Sequence, residues 1–334
     1  LRAALLIAAL ALAGCATRPE TLLSGETMGS AWTVKIAGAL PEGEATLRDG
    51  VQARFDAVNL ALSTWRADSA LSRFNGRDDG EWMDVDPELA AVMRYALGLA
   101  AASGGAYDIT VGPLVNLWGF GPDPATNRVP DAATIRAARE RVGWRKVEVD
   151  AARDRARKAP GVRVDLSSLG KGRGVDRVAE YLDARGVSNY LIDLSGKLRA
   201  RGANPQGAPW RIAVERPGPD QPAAGGEISH AVVELRDRSI ATAGDYRRFF
   251  ESGGKHYSHI IDPATGMPVS HTTLSATATA ADCMQADALA TVFMVMPPAA
   301  ALELANSRGV PALLISRGTD DALAIQASSA WQAE

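Results

Sequence analysis

Histidine and cysteine are scarce in this sequence: the 334 residues include four histidines and two cysteines. Two cysteines, Cys15 and Cys283, exclude a framework stapled by several disulfides. A chain of this length can instead rely on a large core. No excess of positive charge is present, with 36 Lys and Arg against 39 Asp and Glu and a net charge of −3. No basic patch interleaved with aromatics stands out, so nucleic-acid binding gains no support. No repeat of fixed period occurs, which argues against solenoids and propellers. No linker is sharp enough to cut the chain into independent domains. At 46% hydrophobic and 22% charged, the composition is that of a globular protein.

The one long apolar run lies at the start. LRAALLIAALALAGC carries an Arg, then apolar residues, then Ala13-Gly14-Cys15. It is too short to span a bilayer comfortably and ends in small residues, as a secretory signal does. The residues before Cys15 resemble a bacterial lipobox. That resemblance implies a lipoprotein signal peptide over 1–14, a lipid on Cys15 and a tether over 15–24. The folded domain is then expected over 25–330, on the periplasmic side of a bacterial membrane. A buried helix followed by a chance cysteine is the plain alternative. With Cys15 lipidated, Cys283 has no partner.

Downstream, residues 26–37 alternate as a strand, and Leu47, Val51, Phe55, Val58 and Leu62 recur at helical spacing. A helix is predicted from about Pro87 to Ala102, stopped by Gly104-Gly105. Residues 113–130 are predicted as a long loop, 131–141 as a helix, and 146–150 and 162–166 as strands. The segment SSLGKGRG is read as a glycine-bearing loop opening a helix over 172–185. From Asn189 to about residue 280 the pattern is mostly strands. Helices near 282–295 and 298–308 follow, then strands at 310–316 and 322–327. Strand runs interrupted by isolated helices predict an α+β fold with mixed or antiparallel sheets and flanking helices, in two packed lobes.

Three segments can carry chemistry. In DLSSLGKGRGVD, 165–176, a helix start and Lys171 would favour an anion. The segment matches neither the P-loop nor the dinucleotide fingerprint, and it also reads as an ordinary strand-to-helix turn. In ADALAT, Asp287 and Thr291 share one helix face and offer hard oxygen donors suited to Mg²⁺. A solvated Asp near a helix start is the alternative, which Ala288, Leu289 and Val292 weaken. In HYSHIIDPATG, strand alternation places His256 and His259 on opposite faces, so they form no metal pair. His259 is a candidate base, or a structural histidine; the Asp262–Gly266 turn fixes the strand end. Met28 and Trp65 are of types that pack against flat rings, although core packing is their commoner fate.

Taken together, TMGS at 27–30, LSRFN at 71–75, YDITVGPLVNLWGFG at 107–121 and DLSSLGKG at 165–172 resemble the FAD:protein FMN transferase (ApbE) family. SIATAGDYRRFF at 239–250, HIIDPATGMPV at 259–269 and ADALAT at 286–291 extend the resemblance. It implies an enzyme that cleaves FAD, attaches FMN to a threonine hydroxyl of an acceptor flavoprotein and releases AMP, with Mg²⁺ required. The acceptor implied is a respiratory membrane subunit. Carried over by motif, Asp287, Thr291 and the Ser168 carbonyl would bind the metal. Met28, Trp65, Ala106, Tyr107, Asp108, Asp165 and Lys171 would contact FAD, and His259 would sit by the reacting phosphate. Ser195-Gly196-Lys197 departs from the family's usual Gly-Gly followed by an acid or amide; Gly170 and Arg173 replace an alanine and an aromatic. An FAD pyrophosphatase and a non-catalytic flavin-binding lipoprotein are the other readings.

Overall fold

The computed structural model describes residues 17–122, 129–150, 152–217, 229–245, 248–318 and 322–332. A hairpin, β1 (Glu20–Thr27) and β2 (Ser30–Ala37), precedes helices α1 (Glu44–Leu62) and α2 (Ala70–Gly76). Strand β3 (Met83–Asp84), helices α3 (Pro87–Ala102), α4 (Gly112–Leu117) and α5 (Ala132–Arg139), and strands β4 (Val147–Asp150) and β5 (Arg155–Lys158) follow. Helix α6 (Ser167–Asp183) then leads to β6 (Tyr190–Leu194), β7 (Lys197–Arg201), β8 (Trp210–Glu215), β9 (Ser229–Leu235) and β10 (Arg238–Gly244). The chain continues through β11 (Phe249–Ser252), β12 (Lys255–Ser258), β13 (Thr273–Ala280), α7 (Cys283–Val295), α8 (Pro298–Ser307), β14 (Ala312–Arg317) and β15 (Leu323–Ala327).

The α+β class forms as predicted. One sheet runs β1-β2-β6-β7-β10-β13-β14-β15, and its neighbours all pair antiparallel. Alternation sorts its side chains. Trp32, Val34 and Ile36 of β2 and Tyr190, Ile192 and Leu194 of β6 meet Leu47, Val51 and Phe55 of α1 and Val175 and Val178 of α6. Ala37, Leu191 and Ile240 face the other way, toward Trp210, Ile212 and Val214 of the β8–β9 hairpin. A further core joins α2, α3, α7 and α8 to Ala276, Ala278 and Leu314 of the sheet. Each large side chain so buried contributes about 1.5–3 kcal/mol.

Helices α6 and α7 cross closely because small residues line the contact. A Cβ at Gly172 would lie 2.5 Å from the Cys283 carbonyl oxygen; on the side of α6 that meets α1, one at Gly174 would lie 2.9 Å from the Phe55 ring. Asp176 of α6 locks the crossing: its carboxylate accepts from the Cys283 and Met284 N–H groups, both at 2.8 Å, and pairs with Arg199 at 2.7 Å. Those N–H groups are among the donors a helix start leaves unmet. Asp282 caps the same end, accepting from the Gln285 N–H at 2.8 Å. The rotation of α7, and hence the direction of Asp287, is fixed from α6.

Several expectations need correction. Strand β1 begins at Glu20, ahead of the domain boundary expected at residue 25: residues 20–24 pair with β2 and Leu23 is buried. SSLGKGRG lies within α6; its glycines serve helix contact at 172 and 174, not loop freedom. Residues 162–166 form no strand. Val162, Val164 and Leu166 are buried in alternation, but the Val164 N–H and carbonyl both bond the Asn75 amide at 2.8 Å. Helix α4 replaces part of the loop expected over 113–130, started by Pro113 in its first turn. Residues 1–16, including the expected signal segment and Cys15, lie outside the described residues, as do 123–128 and 218–228. No described helix is long and apolar enough to cross a membrane.

Candidate active site

A cavity of about 1510 Å³ opens between the helices and the end of the sheet. Met28, Trp65, Ala106, Tyr107, Asp108, Asp165, Ser168, Lys171, His259, Asp287 and Thr291 all line it. Sequence positions from 28 to 291 therefore converge on one cleft. The rim uses tight turns. Met28-Gly29 joins β1 to β2 with φ of 48° and 69°, and Ser195-Gly196 joins β6 to β7 with φ of 53° and 80°. Both are left-handed turns of the kind that match sheet twist. Met28 and Ser195 occupy positions that cost a side-chain-bearing residue about 1–2 kcal/mol. Strain of this kind gathers where a site needs a fixed shape.

At one end the groups are polar. Asp287 is buried on α7, and Thr291 stands one turn on, its hydroxyl donating to the Asp287 carbonyl at 3.1 Å. The hydroxyl oxygen keeps lone pairs for the cavity. Oδ2 of Asp287 accepts from the Gly172 N–H at 3.2 Å. In an ideal helix that N–H points at the Ser168 carbonyl, so the carboxylate reaches the turn that carries Ser168. Burial pushes the Asp287 carboxyl above the usual carboxylate range, while Lys197, the Gly172 N–H and Lys171 pull it back. Hard oxygen donors around a buried charge that needs a cation fit Mg²⁺, which takes few protein ligands. No cluster of three His, Cys, Asp or Glu side chains able to hold a metal occurs among the described residues, so a softer, multi-histidine centre has no donors there. Lys171 donates to the Ser30 hydroxyl at 2.7 Å, tying α6 to β2.

The remaining wall is tightly braced. Tyr107 is buried and its hydroxyl bonds the Ser168 hydroxyl at 2.8 Å. The Asp108 carboxylate is engaged by the Thr110 N–H and hydroxyl and by the Trp144 N–H, at 2.6–2.8 Å. Its role is to shape the 106–110 segment. Asp165 accepts from the Ser167 N–H at 2.8 Å at the start of α6. Trp65 is 60% exposed, an unusual state for a tryptophan and a ready flat surface at the cleft mouth.

His259 follows β12. Its Nδ1 lies 3.0 Å from the Arg248 carbonyl oxygen, which can only accept. Nδ1 therefore carries the proton, and Nε2 is left as the basic nitrogen. Burial lowers its pKa from 6.5 to about 4, assisted by the charges of Arg248 and Lys197; the carbonyl bond opposes the shift. The imidazole is neutral at pH 7. The predicted alternation holds here: Tyr257 and Ile261 join the aromatic group of Trp118, Phe120 and Phe250, and the His259 ring meets Phe120 edge-on at 6.2 Å. His256 faces away, stacked near Phe249 at 4.3 Å and 3.8 Å from Asp245.

Two residues enter that sequence reasoning did not assign. Gly172 supplies the N–H to Asp287. Lys197 lies 3.5 Å from Asp287 Oδ1. The charge reversal at 197 was visible in the sequence, but nothing there placed β7 against α7.

A buried carboxylate, basic groups and a neutral histidine share one large cleft of this α+β scaffold, an arrangement suited to a polyanionic ligand. The sequence profile of the ApbE family matches residues 28–314, and the chain belongs to that family. It is 39% identical to an FAD:protein FMN transferase of Vibrio cholerae over 97% of this chain and 95% of the relative. It is 36% identical to the Escherichia coli K12 protein of the same description, over 96% and 93%. Among solved structures, the flavin transferase ApbE from Vibrio cholerae superposes with a TM-score of 0.85 at 38% identity, covering 94% of this chain and 98% of that one. The apo flavinyl transferase ApbE of Pseudomonas stutzeri gives 0.85 at 35% identity, covering 94% and 96%.

Proposed function

We propose that this chain transfers FMN from FAD to a threonine hydroxyl of an acceptor protein, using Mg²⁺ held by Asp287, Thr291 and the Ser168 carbonyl. Flavin transfer is the activity of the family. The observation that carries the finer reading is the pairing of a cation-demanding Asp287 with a neutral His259 in the same cleft. Bound Mg²⁺ would neutralise diphosphate charge and polarise the phosphoryl oxygens.

The chain's own groups account for the rest. The FAD diphosphate enters the polar end, where Lys171 adds positive charge. Trp65 and Met28 offer apolar surface to the flavin or adenine ring. Nε2 of His259 accepts the threonine proton as the oxygen attacks the FMN phosphorus. One P–O bond forms, the P–O bond to the AMP phosphate breaks, and AMP leaves with the electron pair. General-base assistance of this kind contributes about 10²–10⁴ in rate. The fixed Nδ1 proton holds the ring in the required tautomer.

The lipobox-like segment supports attachment through lipid on Cys15, with 1–14 as signal peptide and the enzyme on the periplasmic side of a membrane. Acceptors are then membrane flavoproteins facing that compartment, such as respiratory subunits.

The test is mass spectrometry of a threonine-bearing acceptor peptide after incubation with FAD and Mg²⁺. The expected product is a phosphoester-linked FMN adduct with one AMP released per adduct. Free FMN and AMP at equal rates with and without acceptor would replace transfer with hydrolysis; a Thr→Ala acceptor that is still labelled would overturn the threonine assignment.

A further inference from the structure

Lys197 opens β7 directly after the strained Ser195-Gly196 turn. Its ammonium donates to the Thr242 carbonyl at 2.8 Å and lies 3.5 Å from Asp287 Oδ1. The two side chains are 15% and 4% exposed. A carboxylate so buried stays ionised only beside a cation. In this arrangement Lys197 is that cation. Its residence there creates a conflict with the Mg²⁺ reading. A divalent cation on Asp287 would face an ammonium a few ångströms away, and like charges at that distance in a largely buried site repel strongly. Metal and ammonium therefore compete for the carboxylate. Lysine has the flexible stem needed to withdraw. It also lines the cavity that must receive a diphosphate, so a new anionic partner arrives with the substrate.

We propose that Lys197 is an exchangeable counter-ion. It neutralises Asp287 while the cleft is empty, yields the carboxylate to the divalent cation, and pairs with the FAD diphosphate. This rests on Asp287 being a metal ligand, the reading given above. Metal loading and FAD binding then favour one another, because the diphosphate draws away the ion that competes with the metal. The Thr242 carbonyl holds the ammonium beside Asp287 while the cleft is empty.

The test measures binding, not turnover, on the whole protein. Mn²⁺ uptake is followed by electron paramagnetic resonance without FAD, and FAD binding by flavin fluorescence in EDTA. Lys197→Met should bind Mn²⁺ roughly tenfold more tightly than the parent, the size expected for removing a competing ion pair. It should bind FAD several-fold more weakly, because the diphosphate loses the ammonium that pairs with it. Lys197→Arg, which keeps the charge, should hold FAD near the parent affinity. Lys197→Gln serves if the methionine variant does not fold. Unchanged or weaker Mn²⁺ binding, or undiminished FAD affinity, in the neutral variants overturns the proposal. Asp287→Asn reports separately on the underlying reading: it should lose Mn²⁺ binding, and parent-like binding there would refute the ligand assignment whatever Lys197 does.

Discussion

The main-chain N–H of Gly172 on α6 donates to Oδ2 of Asp287 on α7 at 3.2 Å, at a crossing where any side chain on 172 would strike the Cys283 carbonyl. The hydrogen bond and the close approach are one arrangement. Backbone meets carboxylate only because no Cβ separates the helices.

Gly172→Ala should force α6 and α7 apart. The expected cost is about 1–3 kcal/mol from overpacking, read as a lower Tm. Flavin transfer should fall with it, since Asp287 loses its N–H partner. A variant with parent-like Tm and activity would show that the crossing can relax.

His259→Ala should leave FAD bound while transfer drops about 10²–10⁴-fold. Fluorescence titration and single-turnover labelling separate the two. The Arg248 carbonyl loses its Nδ1–H donor but keeps the main-chain N–H of residue 259 at 3.2 Å, so a small Tm change is expected. Parent-like turnover would remove His259 from the chemistry.

The pH dependence follows from the same ring. A base works only when neutral, and burial lowers the His259 pKa from 6.5 to about 4. The neutral form therefore persists well below the usual histidine range. The acid limb of kcat/KM, which reports free-enzyme groups, should show no inflection near 6.5 and should fall as pH drops toward 4. An inflection at 6.5 would mean that the base is a solvated histidine or another group.

Ser195→Gly should stabilise the protein. Ser195 sits at a φ of 53°, which glycine adopts freely. A gain of about 1 kcal/mol is expected, lessened by the added freedom of the unfolded chain. The corresponding Met28→Gly change should not help, because Met28 also packs against two core groups. Thermal melts of both variants provide the comparison.

Much of the fold was legible because side-chain periodicity and burial agree. Helices α1, α3 and α7 and most of the central strands appear where alternation or helical spacing put them. Asp287 and Thr291 were legible as a same-face pair for the same reason. What failed to show was contact at a distance. The glycines at 172 and 174 look like a loop until α7 is seen lying on the first and Phe55 of α1 on the second. Short strands β3 and β5, rich in charge, carry no apolar pattern, and the pairing of β5 with β3 on one side and β4 on the other is tertiary. Lys197 belongs to the same class: its sign was readable, its partner was not.

Asn75 stands in for a missing neighbour, giving and taking both main-chain hydrogen bonds of Val164. The segment bearing Asp165 is consequently fastened to the end of α2 by one carboxamide instead of a ladder. A shift of α2 would pull on Val164, while the Asp165 N–H stays bonded to the Ile109 carbonyl at 2.6 Å. A leucine at 75, though it would fill the same space, would leave an amide and a carbonyl stranded and let the wall drift from its anchor.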